Sequence, residues 1–413
     1  MIFTHAGDDM TDVYNAFHPP SANDVLRKFE IGALDESVVP TGLYANKRVP
    51  EKQKKFEEAY RNLRIQLIKM GMFNASPLYY TWKVTSNLLI LAASVYCAIT
   101  TDSWAWNMTG AVLLALFWQQ CGWLAHDFLH HQVFKNERWK GDLAGVVIGD
   151  LFQGFSVQWW KSKHNAHHAV PNLHASSPTA ADGDPDIDTM PILAWTLKMA
   201  ESAKDSEWGR FMIKWQAVFY FPALLFARLA WAHQSWVFVF GGWGQHSVKG
   251  AKLDQKNMKF PGLEKLALIG HYAFFGWVMY NMAPLNAVAY FLVAQTVCGL
   301  FLAIVFGLGH NGMAVYPADQ RPDFWKLQVS TTRNVTSNPF VDWFCGGLQY
   351  QVDHHLFPTL PRHNLPKVHE LVASFCKEQG VTYHEATMWA GTKEVLSHLS
   401  DVAEEFLTEF PAM

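Results

Sequence analysis

Two stretches without Asp, Glu, Lys or Arg open the hydrophobic part of the chain: Val84 to Thr101 and, after Asp102, Ser103 to Ala125. Each approaches the roughly 20 apolar residues that a helix needs to cross a bilayer, so each predicts a membrane span. The turn between them has no Lys or Arg, whereas both are plentiful before Val84 and after Phe134. The positive-inside rule then puts both flanks in the cytosol. From Leu266 to Ala318 charge is absent again. That run predicts two more spans, broken at Asn281-Met282-Ala283-Pro284, where proline and polar residues favour a turn. Gly145–Phe155 is too short to cross. Upstream, Phe56, Tyr60, Leu63, Leu67 and Met70 recur with Lys and Arg between them, the period of an amphipathic helix. This helix either leads along the membrane surface or packs on protein. Residues 1–35 are polar and helix-forming, interrupted at Pro19-Pro20.

Composition supports a membrane class. Of 413 residues 50% are hydrophobic and only 17% charged, against about 25% charged in soluble proteins. The net charge of −3 selects no partner, and no basic stripe points to nucleic acid. Cys97, Cys121, Cys298, Cys345 and Cys376 are scattered, which suits reduced thiols rather than a disulfide framework. The N-terminus carries no signal-peptide core.

Nineteen histidines are an excess, and nine of them fall in three clusters plus His310. His126 and His130 stand at i, i+4, with His131 just off that face; either of the last two serves as primary ligand, or each serves a different metal. His164, His167 and His168 converge on one helical turn, as do Gln351, His354 and His355. His310 ends a predicted span. Nine imidazoles and one amide exceed what one metal takes and imply two. Imidazole suits zinc, copper and iron. No cysteine lies in the clusters, which argues against structural zinc, and two metals with open positions fit O₂ activation by non-haem iron. Asp127 and Asp353 are placed to orient imidazoles from behind. His174, His233, His246, His271, His363, His369, His384 and His398 each read as packing or surface residues. The acidic run Asp182–Asp188 reads as a solvated loop, and Trp159-Trp160 as an interface anchor.

If the clusters share one compartment, an even number of crossings separates His168 from Gln351. The 266–309 hairpin supplies two. The stretch 215–248, where Trp215–Ala227 is too short and Leu229–Val248 is rich in Gly, His and Gln, then supplies none or two; helices lying in the interface are the favoured reading.

Three stretches carry a resemblance: Gln119 through His126-Asp127-Phe128-Leu129-His130-His131, Gln158-Trp159-Trp160-Lys161 through His164–His168, and Gln351–His355 followed by Leu356-Phe357-Pro358. They resemble the three histidine boxes of the front-end fatty acid desaturases, in which glutamine replaces the first histidine of the third box. The resemblance covers nearly the whole chain. It implies an all-α integral membrane fold of about four transmembrane helices, with a cytosolic helical cap carrying the boxes. It implies two non-haem iron ions, O₂ as oxidant, and electrons from cytochrome b5 and its NADH-dependent reductase. The implied substrate is a polyunsaturated acyl chain carried on lipid or coenzyme A, and the implied location is the endoplasmic reticulum membrane. The flanking sequence is most similar to Δ6 enzymes. Δ5, Δ8, Δ4 and sphingoid-base desaturases and related hydroxylases share the boxes. A non-catalytic metal transporter is the rival from another class; it would keep its ionisable residues at mid-membrane, unlike these.

His5 through Phe17-His18-Pro19-Pro20 resembles the second half of a cytochrome b5 domain, with His18 as a haem-axial ligand. The first axial histidine is expected upstream of Met1, so the resemblance implies a truncated domain, with haem b belonging to the full one. The expected organisation is a partial cytochrome b5-like domain at 1–35, a linker and amphipathic helix at 36–78, the desaturase domain at 79–395 and a tail at 396–413.

Overall fold

A computed structural model of the chain describes residues 5, 9–33, 51–177, 180, 182–241 and 258–411. Parts of the 1–35 segment, linker residues 36–50, residues 242–248 of the ambiguous stretch with His246, and residues 412–413 of the expected tail lie outside the described residues.

The described chain is helical; its strands are two-residue parallel pairs, Leu173–His174 with Tyr316–Pro317 and Asn334–Val335 with Glu385–Ala386. Three helices are long and apolar enough to cross a membrane: Pro77–Ile99, Trp104–Leu129 and Pro284–His310. Ser76 caps the first, accepting from Tyr79 N, and a proline opens both the first and the third, where a missing N–H costs nothing. The Trp104–Leu129 helix is central. Its best apolar window is 67% buried inside the protein, against 22% for Pro77–Ile99, whose Leu78, Leu89 and Tyr96 stay exposed as a lipid-facing rim would.

The expected turn at 281–284 is present between Pro261–Tyr280 and Pro284–His310. The first arm falls short of the apolarity of the three spans, because it carries Glu264, Lys265 and His271. Yet it runs the same distance. Near its start Glu264 accepts from Ser156 Oγ (2.6 Å), and beyond its end Asn286 donates to Asp102 O (2.9 Å), in the turn between the first two spans.

In the 215–248 stretch, Gln216–Leu224 and Ala227–Phe240 bend by 62° and are together apolar enough for a broken span or a re-entrant loop. The bend meets the third span at Gly299, where an added Cβ would lie 2.7 Å from Leu225 O. Gly299 is about 16 Å along the helix from His310 at 1.5 Å per residue. Both arms are held back at the histidine end: Gln216 Nε2 donates to Leu399 O (2.8 Å) and Ser235 Oγ accepts from Ser156 N (2.5 Å). That is the geometry of a re-entrant pair, which dips in and returns, rather than of helices lying flat in the interface.

The other end is a helical cap with its own cores. The amphipathic Glu51–Lys69 helix packs on protein: Tyr60, Leu63 and Leu67 are buried with Trp325, Tyr350, Leu356, Phe357 and Val368. Met388–Glu409 runs unbroken through position 396 and buries Leu399, Val402 and Phe406 against Trp195 and Ile213. All five cysteines are buried and unpaired.

Candidate metal centre

Three helices and the end of a span deliver the histidines. His126 lies in the last turn of Trp104–Leu129, and His130 caps it. His164, His167 and His168 sit in Val157–Ala169, while Gln351, His354 and His355 sit in the short helix Gln351–Leu356. Two groups result. His126, His130, His164, His168 and His354 bring ligand atoms within 4.8 Å of one another, and so do His167, His310 and His355. Gln351 completes the second group, its amide 2.7 Å from His310 Nε2. The two orientations of an amide are equivalent in shape; the one turning oxygen inward makes it a fourth donor.

His131, expected alongside His130, joins neither group. The helix stops at Leu129, and His131 takes a left-handed backbone, φ 58°, which leaves the helical path. Its Nε2 lies 3.9 Å from Asp142 Oδ1 instead. The ten expected donors therefore become eight imidazoles and one amide at the centre.

The donor set fits metal ions. Nε2 atoms face one another at 2.9 Å (His130–His164) and 3.1 Å (His164–His168, His168–His354). Burial first, then the neighbouring imidazoles, hold His130, His164, His168 and His355 well below the ordinary histidine range, so they stay neutral, as ligands must. His355 Nδ1 donates to Gln328 Oε1 (2.8 Å), and Gln328 Nε2 donates to His168 O (3.1 Å), which fixes the amide's orientation. His355 Nε2 is then a bare acceptor, sealed from solvent without a partner among the described residues, and His126 Nε2 is likewise buried without one. A buried unsatisfied group costs about 1–3 kcal/mol, and a cation between such atoms removes that cost. Nitrogen donors of this kind are shared by several transition metals.

Outer residues hold the ligands. His167 Nδ1 donates to Asp184 Oδ2 (2.8 Å), and Asp184 also accepts from Asn172 N (2.7 Å) and Asp186 N (2.8 Å). Burial opposes the charge on both partners, but their attraction more than offsets it: His167 is raised and Asp184 lowered from the ordinary values. The acidic run is thus no solvated loop at its centre, where Asp184 is buried. Asp127 lies 3.5 Å from His126 Nδ1 but forms its main, buried ion pair with Arg362, which also donates to Trp123 O and Gly346 O. Asp353 accepts from Asn334 Nδ2 and Tyr383 Oη (both 2.9 Å), fastening the third-cluster helix rather than an imidazole of the centre. Trp160 stacks on His164, centroids 4.2 Å apart, and Trp159 is buried; neither anchors an interface. Gly309 leaves room for Gln351, whose Cγ would lie 2.9 Å from an added Cβ.

The second-cluster helix has the N–H groups of its start satisfied by side chains, three of them from other segments and one from its own cap. Ser156 N donates to Ser235 Oγ, Val157 N to Asp150 Oδ2, Gln158 N to Glu264 Oε2 and Trp159 N to Ser156 Oγ. A buried helix start needs such partners, and carboxylates suit its positive end. The serine cap is legible in sequence; the partners, 79 and 108 residues away, are not.

The remaining described histidines belong to neither group. His271 packs on Trp118, and His363, His384 and His398 meet Tyr79, Glu394 and Trp195 O. His369 reaches Asp353, and His174 Nδ1 bonds Ala175 O. His18 follows the Thr11–Phe17 helix, stacks on Tyr14 at 4.3 Å and bonds Tyr14 O (3.0 Å). Its neighbour Phe17 meets His168 edge-on at 6.1 Å.

One cavity of about 490 Å³ reaches the centre. His126, His164, His167, His310 and Gln351 form part of its wall, and Trp123, Phe155, Trp231, Leu302 and Phe306 line its apolar part. Lys163, Asp186 and Asp188 are charged residues of its lining, and Asp186 and Asp188 are exposed, which makes this its charged rim.

Residues 103–387 match the fatty acid desaturase family. The chain is 37% identical over 405 residues to an acyl-lipid (9-3)-desaturase of Physcomitrium patens, covering 98% of this chain and 71% of that protein. It is 34% identical over 429 residues to a Delta(6)-fatty-acid desaturase of Caenorhabditis elegans, covering 98% and 91%. A Delta(8)-fatty-acid desaturase of Euglena gracilis is 32% identical over 413 residues, covering 97% and 90%.

Proposed function

The chain belongs to the fatty acid desaturase family, in its front-end branch, and on that premise we propose that it inserts a cis double bond at Δ6 of a polyunsaturated acyl chain, using O₂ and electrons from cytochrome b5. The observation that carries this reading is a buried set of eight imidazoles and one amide, of which four imidazoles and the amide form part of the wall of an apolar cavity. The relative named as a Δ6 enzyme, at 34% identity over nearly the whole chain, supports the position. The relative named as a Δ8 enzyme, at 32%, makes Δ8 the second reading.

Two iron ions bound by these donors would supply the oxidation that removes two hydrogens from adjacent carbons, while O₂, two electrons and two protons become two waters. The protein's share is binding and orientation. His126, His130, His164, His168 and His354 would hold one ion; His167, His310, His355 and Gln351 the other. Asp184 and Gln328 hold the Nδ1 protons of His167 and His355, so their Nε2 lone pairs face inward. The apolar wall excludes water around the chain, and the charged rim takes the carrier end, lipid or coenzyme A. In this reading the centre faces the cytosol from the endoplasmic reticulum, where cytochrome b5 and its reductase can reach it, and haem b belongs with the full cytochrome b5-like domain.

Expression in a yeast without polyunsaturated fatty acids, fed linoleate, tests the reading. A new Δ6 double bond in the extracted lipids, located by mass spectrometry, is the expected result. Absence of any new double bond, from this chain and from an upstream-extended one, would overturn it.

A further inference from the structure

Gln153 is 5% exposed, and it lines the cavity that reaches the metal centre. Its backbone carbonyl accepts from Arg228 Nη2 (2.7 Å). Its side-chain amide has no hydrogen-bonding partner among the described residues. The amide lies against the central span: a Cβ on Gly122 would stand 2.8 Å from Gln153 Nε2 and 3.3 Å from Leu302 Cδ2, and both Gly122 and Leu302 line the same cavity. Gly122 precedes His126 by one helical turn, about 6 Å.

The direction is toward the interior of the spans, away from the charged rim. An acyl chain whose carboxyl end stays at Lys163, Asp186 and Asp188 sends its methyl end past Gln153. A hydrocarbon that fills the cavity expels water and leaves the amide without a partner. A buried polar group without one is unfavourable. Beyond its carbonyl, such a chain offers one kind of acceptor, the π face of a double bond already in place. Amide N–H groups donate weakly to π systems.

We infer that Gln153 recognises the existing double bond on the methyl side of the attacked carbons, its N–H pointing at the π face, and so favours chains that are already unsaturated. The inference rests on the front-end reading above, which supplies an existing double bond, and adds the group that senses it. Gln153 in this role is a specificity residue; it takes no part in the oxidation.

The test uses full-chain protein in membranes of a yeast lacking its own desaturase, supplied in turn with stearoyl, cis-9 oleoyl and trans-9 elaidoyl chains. The readout is the ratio of conversion of oleoyl to stearoyl on one preparation, which a lower yield of folded protein does not move. Wild type is expected to favour the oleoyl chain over both others. Gln153→Met, which keeps the volume, and Gln153→Leu are expected to lower the ratio about two- to fivefold, the weight of one weak hydrogen bond. A wild-type ratio of one, or an unchanged ratio in Gln153→Met, overturns the inference while leaving the desaturase reading intact. Absence of product from every chain, with linoleoyl supplied as a fourth, overturns that reading and this inference with it.

Discussion

The two histidine groups share two helices, Val157–Ala169 and Gln351–Leu356, but are supported differently. In the five-histidine group, His126 with His130 and His164 with His168 are i, i+4 pairs, and His354 joins them. Helical period alone aims these rings at one point. Support from behind is slight: among the described residues His168 Nδ1 has no partner and His126 Nδ1 meets Asp127 at 3.5 Å. The second group has three imidazoles and an amide, and two of its rings are gripped from outside, His167 by Asp184 and His355 by Gln328. Period builds the first group; hydrogen bonds to residues elsewhere in the chain finish the second. The first is therefore expected to fail when a ligand is lost, and the second also when a supporting residue is lost.

The largest break is expected from His130→Ala, which removes a ring touching His164 at 2.9 Å. Loss of an outer partner already costs about 10–100-fold, so loss of this ring should cost more than about 100-fold in product, with metal per chain falling in elemental analysis. Next stands Gln351→Ala, expected to abolish or severely reduce product; an unchanged yield would remove Gln351 from the ligand set. Gln351→His keeps a nitrogen donor at a different reach and should recover part of the activity. The smallest of the three effects, and the one that most sharpens the comparison, is Asp184→Asn. It keeps the shape but removes the charge holding His167, and about a 10–100-fold loss of metal affinity is expected. Equal affinity in a metal titration would show that the second group, like the first, needs no outer support.

Much of the centre was legible because its residues obey local rules. Charge-free runs marked the spans, and helical spacing marked all three clusters. Both rules stop at the end of a helix. His131 belongs to the first cluster by counting, but the helix ends before it, and nothing in Phe128-Leu129-His130-His131 announces that end. Asp184 was hidden for the opposite reason: a run of acidic residues looks solvated until Asn172 and His167 fold over one of them. Trp160 resembles an interface tryptophan in composition and becomes a shelf for His164 in space. The bent pair at 216–240 was invisible to window lengths, because a re-entrant helix needs neither the length nor the uniformity of a span. Gln153 sits in a short segment that sequence marks only as too short to cross.

The start of the second-cluster helix bears on how the protein is made. Ser156 is synthesised 108 residues before Glu264, the last of its partners to emerge, and 79 before Ser235. Until Glu264 has left the ribosome, the helix carrying His164, His167 and His168 lacks a fixed entry angle, and His310, His354 and His355 do not yet exist. The contacts therefore become available in one order: the early helices first, then Ser235, then Glu264, and last the third cluster. A chain cut short anywhere before residue 355 leaves the ribosome with an incomplete set of donors.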